Sequence, residues 1–140
     1  MRAEKDHKLQ FSEMLASASA SFCGRDAAIS HLENAKVLII PVPYDATTTY
    51  LSGARNGPAA ILRASQELEL FDEETGQEVY RIGIATLDEL EVDASSPQAM
   101  VARVRSIGEK SFDAGLFPLM LGGEHLLSLG TIQALASRVE

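Results

Sequence analysis

The chain has 140 residues, a length that fits one domain able to bury roughly two thirds of the surface that its unfolded form exposes. Its residues are 46% hydrophobic and 23% charged, which is typical of a globular protein and excludes a disordered tail. The net charge of −8 and the isoelectric point near 4.8 argue against binding to nucleic acid or anionic lipid, since both require clustered Lys and Arg.

Targeting signals are not apparent in the sequence. No window approaches the roughly 18 apolar residues that a membrane-spanning helix needs. The N-terminal string MRAEKDHK is mixed in charge and has no apolar core behind it, so we expect no secretory signal. The single cysteine, Cys23, cannot form an internal disulfide. We therefore expect a cytoplasmic protein.

The first half of the chain is predicted to contain a helix, a buried strand and a second helix. Residues 1–35 are polar and rich in small residues, and we predict one helix around Asp6 to Ser17 followed by an irregular lead-in. The run KVLIIP predicts a strand that is buried on both faces. After the loop VPYDATTTYLSGARNG, a helix begins at Pro58, because the missing N–H of proline costs nothing in a first turn.

The second half is predicted to contain further strands and two helices. ELELF and VYRIGIATL predict two extended segments around a turn in DEETGQ. SSPQAMVARVRSIGEKSFDAG predicts a helix with Ser95 or Ser96 as its N-cap, Pro97 in its first turn and Gly115 as its stop. LFPLML predicts another buried strand, and LLSLGTIQALASRV predicts the last helix.

Strands that alternate with helices indicate an α/β fold with a parallel, doubly wound sheet. We divide the chain into an N-terminal helix and lead-in, residues 1–35, and an α/β domain, residues 36–140. In an open parallel sheet, ligands bind beyond the carboxyl ends of the strands, where the connecting loops form a crevice. The loops that follow the first buried strand and LFPLML are both expected at that end.

The string LMLGGEHLLSLG contains the strongest candidate for a site. Gly122 and Gly123 have no Cβ and can bring the strand end close to an ion or to a neighbouring loop. His125 would project into the crevice, and imidazole is a common ligand of first-row divalent metals. Glu124 should point the other way and accept a hydrogen bond. One histidine without a second nearby ligand does not define a metal site, so a loop histidine beside a tight turn remains an alternative.

Three blocks of the sequence occur in a recognisable order: PVPYDATTTYLSGARNGPAAILRAS, LELFDEETGQEVYRIGIATLDELE and LMLGGEHLLSLG. Together they resemble the N-terminal half of the ureohydrolases, most closely the agmatinases, over roughly Asn34 to Gly130. The resemblance implies the N-terminal part of a three-layer, arginase-like fold around a parallel sheet. It also implies a binuclear Mn²⁺ centre and hydrolysis of a guanidinium C–N bond that releases urea, which would convert agmatine to putrescine.

The string GGEH is similar to the family's first metal motif, usually Gly-Gly-Asp-or-Glu-His-Ser, which implies that His125 is one manganese ligand. Leu126 stands where serine is usual, and YLSGAR replaces the more typical Tyr-Arg-Pro-Gly-Thr-Arg. Other matched positions imply support of the ligand or shaping of the loops, and these are Asp45, Gly122, Gly123 and Glu124.

The family's other metal ligands come from an Asp-Ala-His-x-Asp motif and a later Asp-x-Asp pair, and neither string occurs here. Because a metal-bound hydroxide needs ions bridged by those carboxylates, we expect this chain alone to be inactive, truncated before the second metal motif. We expect it to pair with a C-terminal half or to form a homo-oligomer, since an incomplete sheet exposes strand and helix faces.

Two other hypotheses belong to different functional classes. The chain could be a noncatalytic interaction or oligomerisation remnant of the fold. A nucleotide-binding domain is a third hypothesis, but SGARNGP lacks the Lys and the Ser or Thr of a P-loop, and GGEHLLSLG lacks G-x-G-x-x-G spacing. A nucleophilic triad is not indicated, because no serine lies in a G-x-S-x-G elbow.

Overall fold

The computed structural model describes residues 2–24 and 32–139. In chain order its regular elements are α1 (Arg2–Leu9), β1 (Val37–Val42), α2 (Gly57–Ala64), β2 (Ile84–Thr86), α3 (Pro97–Asp113), β3 (Phe117–Gly122) and α4 (Ser128–Ala136). Short 3-10 turns connect several of them. Across the described ranges, no helix has the length and apolar character needed to cross a membrane.

The three strands form a parallel sheet in the order β2-β1-β3. The central strand, β1, has the β-branched sequence VLIIPV, and all its residues after the first are buried. Its first residue, Val37, pairs with Ile84 of β2 and with Phe117 of β3. The predicted parallel sheet and the buried strand in KVLIIP are both confirmed.

Helices cover both faces of the sheet, which gives the three layers expected of the fold. Alternate side chains of a strand point to opposite faces. The core on one face joins β1 to α3 and contains Leu38, Ile40, Val42, Met100, Val104 and Ile107. On the other face, Pro41 of β1 lines a cavity with Ala59 and Leu62 of α2.

Helix α3 follows the predicted signals closely. The hydroxyl of Ser96 accepts a hydrogen bond from the N–H of Ala99 at 3.1 Å, as an N-cap does. The helix ends at Asp113, and Gly115 takes a φ of +67° just beyond it, a conformation that favours glycine. The predicted helix and both of its ends are therefore confirmed.

The predicted N-terminal helix is wrong in its extent. Helix α1 ends at Leu9 and not at Ser17. Beyond it, Phe11 is fully buried in the core, and Leu15 forms an antiparallel bridge with Leu87. These tertiary contacts require an irregular path, with a 3-10 turn at Ser12–Met14, that a continuous helix could not follow. Residues 25–31 of the predicted lead-in lie outside the described ranges.

The segment that follows α1, residues 10–24, is named the N-terminal strap. It runs beside the outer edge of β2. The N–H of Ala16 donates to the carbonyl of Thr86 at 3.0 Å, and the N–H of Asp88 donates to the carbonyl of Met14 at 2.7 Å. The strap therefore satisfies backbone groups at the edge of β2 that does not face β1.

Two further predictions about strands need correction. ELELF, residues 67–71, forms no strand, and the pairing in this region is a single bridge between Asp72 and Gln77. A strand needs a neighbour, and the outer edge of β2 is already occupied by the strap. LFPLML does form β3, but Phe117 and Leu119 are 63% and 39% exposed, because β3 is an edge strand that is covered incompletely.

Candidate functional site

The candidate site lies where β1 and β3 end. Val42, the last residue of β1, pairs with Gly122, the last residue of β3. Residues 43–56, named the β1 loop, and residues 123–127, named the β3 loop, therefore leave the sheet side by side. This is the edge at which ligands bind in open parallel sheets.

The backbones of the two loops are in direct contact. The N–H of Gly123 donates to the carbonyl of Val42 at 3.1 Å, and the N–H of Glu124 donates to the carbonyl of Tyr44 at 2.9 Å. A Cβ atom at position 123 would lie 2.2 Å from the carbonyl oxygen of Tyr44. Such a distance is far inside van der Waals contact, so this approach requires glycine at position 123.

The side chain of Glu124 joins the same two loops. It is buried, and its Oε2 accepts a hydrogen bond from the N–H of Thr47 at 2.8 Å. Its Oε1 accepts a second hydrogen bond from the Thr47 hydroxyl. Both carboxylate oxygens are therefore engaged by the β1 loop, and the pair holds the first part of that loop against the β3 loop.

Asp45 makes a second set of contacts within the β1 loop. Its buried Oδ2 accepts hydrogen bonds from the N–H groups of Gly53 and Arg55 at 2.7 and 3.2 Å. Its Oδ1 lacks hydrogen-bond geometry to any described group, but it lies 2.6 Å from Nε of Arg55, so the guanidinium compensates its charge. The N–H of Gly53 and, after it, Arg55 hold the pKa of Asp45 below its ordinary value against the opposing effect of burial.

His125 occupies an open position at the start of α4. It begins a 3-10 turn, His125–Leu127, that is anchored by the fully buried side chain of Leu127. The carbonyl of His125 accepts a hydrogen bond from the hydroxyl of Ser128 at 2.8 Å, while its side chain is exposed. The imidazole lines an open cleft of about 490 Å³ between the β1 loop and the β3 loop.

Burial of Tyr44 and the nearby charges of Glu124 and Asp93 raise the pKa of its phenol. The phenol therefore stays protonated near neutral pH. The side chain of Tyr44 packs in the hydrophobic core. At this edge of the sheet, Tyr44 contributes its backbone carbonyl, which accepts the hydrogen bond from the N–H of Glu124.

The acidic residues that follow β2 are not brought to His125. Asp88 and Glu89 line a different cavity, of about 270 Å³, beside α2 and the N-terminal strap. Glu91 and Asp93 both face Arg103, at 2.9 and 3.8 Å. In the described part of the chain, no group of three or more His, Cys, Asp or Glu side chains could hold a metal ion. The described residues therefore do not fit a complete manganese centre by themselves.

Sequence reasoning overlooked the middle of the β1 loop. Tyr50 and Leu51 line the same cleft as His125 and are 91% and 70% exposed. Both side chains belong to a loop that hydrogen bonds to Asp45 and Glu124 hold against the end of the sheet. The run TTTYL could have suggested this exposure, because a tyrosine and a leucine interrupt an otherwise small and polar loop.

Comparison with known proteins relates this chain to one family. Residues 35–140 match the model of the arginase family. The N(1)-aminopropylagmatine ureohydrolase of Synechocystis is 36% identical over 113 residues, covering 77% of this chain and 37% of the relative. The agmatinase of Bacillus cereus is 31% identical over 120 residues, covering 84% of this chain and 41% of the relative.

Solved structures agree with these matches. The crystal structure of the agmatine ureohydrolase of Thermoplasma volcanium superposes with a TM-score of 0.70 at 25% identity, covering 97% of this chain and 43% of that one. The chain thus spans about two fifths of the length of the curated relatives and of this structure. The sequence match and the fold agree on the same N-terminal part of these proteins.

Proposed function

Because the chain belongs to the arginase family, we propose that it forms the N-terminal part of an agmatinase-like ureohydrolase and contributes one wall of its active site. The observation that carries this proposal is the open cleft at the ends of β1 and β3, which contains His125 and lies within the matched residues. In the proposed reaction, the oxygen of water bonds to the guanidinium carbon and the C–N bond to the alkyl chain breaks. The products are urea and an amine, which is putrescine when agmatine is the substrate.

Within this cleft, His125 would be one ligand of a manganese ion. Its exposure supports the role, because an imidazole must reach the cleft to bind an ion there. Glu124 and Asp45 would not bind the ion, since both carboxylates are engaged by the β1 loop. With Gly122 and Gly123 they would instead fix the loops around it. The remaining ligands would come from the part of the enzyme that this chain does not include.

The proposal is tested by complementation. The purified chain is assayed for urea release from agmatine with Mn²⁺, alone and mixed with the remaining part of a close relative. We expect no turnover by the chain alone and measurable turnover by the mixture. The replacement His125→Ala should abolish this turnover, whereas His7→Ala should not, because His7 is an exposed histidine on α1, which does not line the cleft.

A manganese titration by electron paramagnetic resonance gives an independent readout. We expect weak binding by the chain that is lost in His125→Ala and kept in His7→Ala. Tight binding of two ions, or turnover by the chain alone that depends on His125, would show that further ligands exist within it. Equal turnover of the mixture with and without His125 would refute the ligand assignment.

Assembly and location follow from the same proposal. The exposed side chains of Phe117 and Leu119 on β3 support association with a C-terminal half or with a second copy. A monodisperse monomer in light scattering across a concentration series would contradict this expectation.

The thiol of Cys23 is free and buried. It supports a cytoplasmic location, because thiols stay reduced in that compartment.

A further inference from the structure

The N-terminal strap and α2 border a half-open cavity of about 270 Å³, which we name the strap cavity. Three small residues of the strap, Ala16, Ser19 and Ala20, form one of its walls. Of the described residues, none lines both the strap cavity and the cleft that contains His125. The strap cavity is therefore distinct from the cleft to which we assign the hydrolytic function.

The floor of the strap cavity is apolar. It consists of three buried residues, which are Pro41 of β1, Leu62 of α2 and Leu87 just beyond β2. Ala59 of α2 also lines the cavity, and its methyl group is too small to fill the space. An open volume of this size beside apolar side chains can accommodate a small aliphatic group, whose burial there is favourable.

Hydrogen bonds hold the wall that the strap forms. The N–H of Ala16 donates to the carbonyl of Thr86, and the N–H of Phe22 donates to the hydroxyl oxygen of Thr86 at 3.0 Å. The N–H of Cys23 donates to the hydroxyl oxygen of Ser65, just beyond α2, at 3.0 Å. Because these bonds fasten the strap at both ends of the wall, the cavity exists before a ligand enters it.

Charged groups of both signs border the strap cavity. Arg63 of α2 lines it, as do Asp88 and Glu89 beyond β2, and all three residues are exposed. Throughout the described ranges, their side chains take part in no hydrogen bond or ion pair. A simple amine would leave the guanidinium unpaired, and a simple carboxylic acid would meet two carboxylates. A ligand that carries both charges can pair with groups of both signs.

We propose that the strap cavity binds a small amino acid with an aliphatic side chain. The carboxylate of the ligand pairs with Arg63, and its ammonium group pairs with Asp88 or Glu89. Its side chain lies on the apolar floor. A bound amino acid contacts the strap on one side and α2 on the other, so it stabilises the docked strap.

The test is a nuclear magnetic resonance titration of the chain with leucine and three analogues that each lack one group. Isoamylamine lacks the carboxylate, isocaproate lacks the ammonium group, and glycine lacks the side chain. The methyl signals of Leu62 and Leu87 report on the floor, and the ring signals of His125 report on the other cleft. We expect leucine to shift the signals of the floor and to leave those of His125 unchanged.

The analogues give the size of each contribution. Removal of either charge should weaken binding about fivefold, as for a solvent-exposed ion pair. Glycine should bind about tenfold more weakly than leucine, because it buries no apolar side chain. Absence of leucine binding, or equal affinity for leucine and either singly charged analogue, overturns the proposal.

Charge variants assign the two ends of the ligand. Arg63→Gln should weaken leucine about fivefold and leave isoamylamine unchanged. The double variant Asp88→Asn, Glu89→Gln should weaken leucine and should not weaken isocaproate. The control is Arg105→Gln, which alters an exposed arginine of α3 outside the strap cavity and should change none of these affinities. Equal weakening of leucine and isoamylamine by Arg63→Gln would refute the pairing of the carboxylate.

Filling the cavity tests its position. Ala59→Leu should weaken leucine binding at least about tenfold, and Ala20→Leu, on the wall of the strap, should do the same if Ala59→Leu does not fold. Ala60→Leu is the matched control, because Ala60 is an exposed neighbour on α2 that does not line the cavity. Circular dichroism checks the fold of each variant. Undiminished binding in a folded cavity variant shows that the ligand lies elsewhere.

Amide hydrogen exchange tests the effect on the strap. The N–H groups of Ala16 and Phe22 both bond to Thr86, so they exchange when the strap leaves β2. With leucine at about ten times its Kd, their exchange should slow about tenfold. The N–H of Arg138, which bonds to Leu135, should be unaffected. Unchanged exchange of Ala16 in the leucine-saturated chain would refute stabilisation of the strap. Urea release plays no part in these measurements, so they can fail or succeed independently of the complementation test.

Discussion

Replacing Gly123 by alanine should loosen the site by separating the two loops that form it. The added Cβ would lie 2.2 Å from the carbonyl oxygen and 2.9 Å from the carbonyl carbon of Tyr44. Both atoms belong to the backbone, so no side-chain rotation can relieve the overlap. The loops must move apart, and this movement strains the hydrogen bonds from Gly123 to Val42 and from Glu124 to Tyr44.

The size of the effect follows from these contacts. Each strained hydrogen bond contributes about 1 kcal/mol to the free energy of unfolding, and overpacking of this kind costs about 1 to 3 kcal/mol. We therefore expect Gly123→Ala to lower the free energy of unfolding by about 3 kcal/mol. Urea denaturation followed by circular dichroism measures this change directly.

The adjacent glycine provides the matched control. A Cβ at Gly122 would lie 3.4 Å from Leu127 Cδ1 and 3.7 Å from Met120 Cε, which are ordinary contacts with flexible side chains. We expect Gly122→Ala to change the free energy of unfolding by less than about 1 kcal/mol. If Gly123→Ala were as stable as Gly122→Ala, the close approach of the two loops would be wrong.

Three further changes test other parts of the molecule. Asp45→Asn should lower the free energy of unfolding most above pH 3.8, the ordinary pKa of the carboxyl, because the N–H of Gly53 holds the pKa of Asp45 lower in the folded chain. The loss should vanish as acid protonates the native carboxyl below that value. Unfolding curves of the two chains, recorded between pH 6 and pH 2, should therefore converge. Ser96→Ala should lower the free energy of unfolding by about 1 kcal/mol through loss of the N-cap, and equal urea midpoints would contradict this. Gly130→Ala should be destabilising by about 1 to 2 kcal/mol, because a Cβ 2.7 Å from the carbonyl oxygen of Val101 outweighs the better helix propensity of alanine; a higher melting temperature would contradict it.

Local sequence predicted those elements whose signals are local. The strand in KVLIIP needed only an apolar, β-branched run, and α3 needed only Ser96, Pro97 and Gly115 at its ends. By contrast, the helix expected to continue to Ser17 ends at Leu9, because the residues that follow contact partners that are distant in sequence. The pairing of Leu15 with Leu87 depends on the position of β2, which residues 10–17 do not encode.

The site shows the same division. GGEH indicated a loop histidine through its own residues and its resemblance to a metal motif. The partner of Glu124, however, is Thr47, 77 residues away, and the contact exists because β1 and β3 end in register. Nothing local to Glu124 selects Thr47 over Thr48 or Thr49. The exposed middle of the β1 loop was missed for this reason, since part of what holds it is the contact of Thr47 with Glu124 of the β3 loop.

Because of the N-terminal strap, the sheet can add a new strand beside β3 but not beside β2. At β2 the outward carbonyl of Thr86 is bonded to Ala16, and the N–H of Asp88, just beyond the strand, is bonded to Met14, so the strap stands where a new strand would dock. At β3, whose one neighbour in the described sheet is β1, the edge is a template and carries the exposed side chains of Phe117 and Leu119. Any recruited strand must therefore dock beside β3, and a single lysine in place of Leu119 would act as a gatekeeper against it.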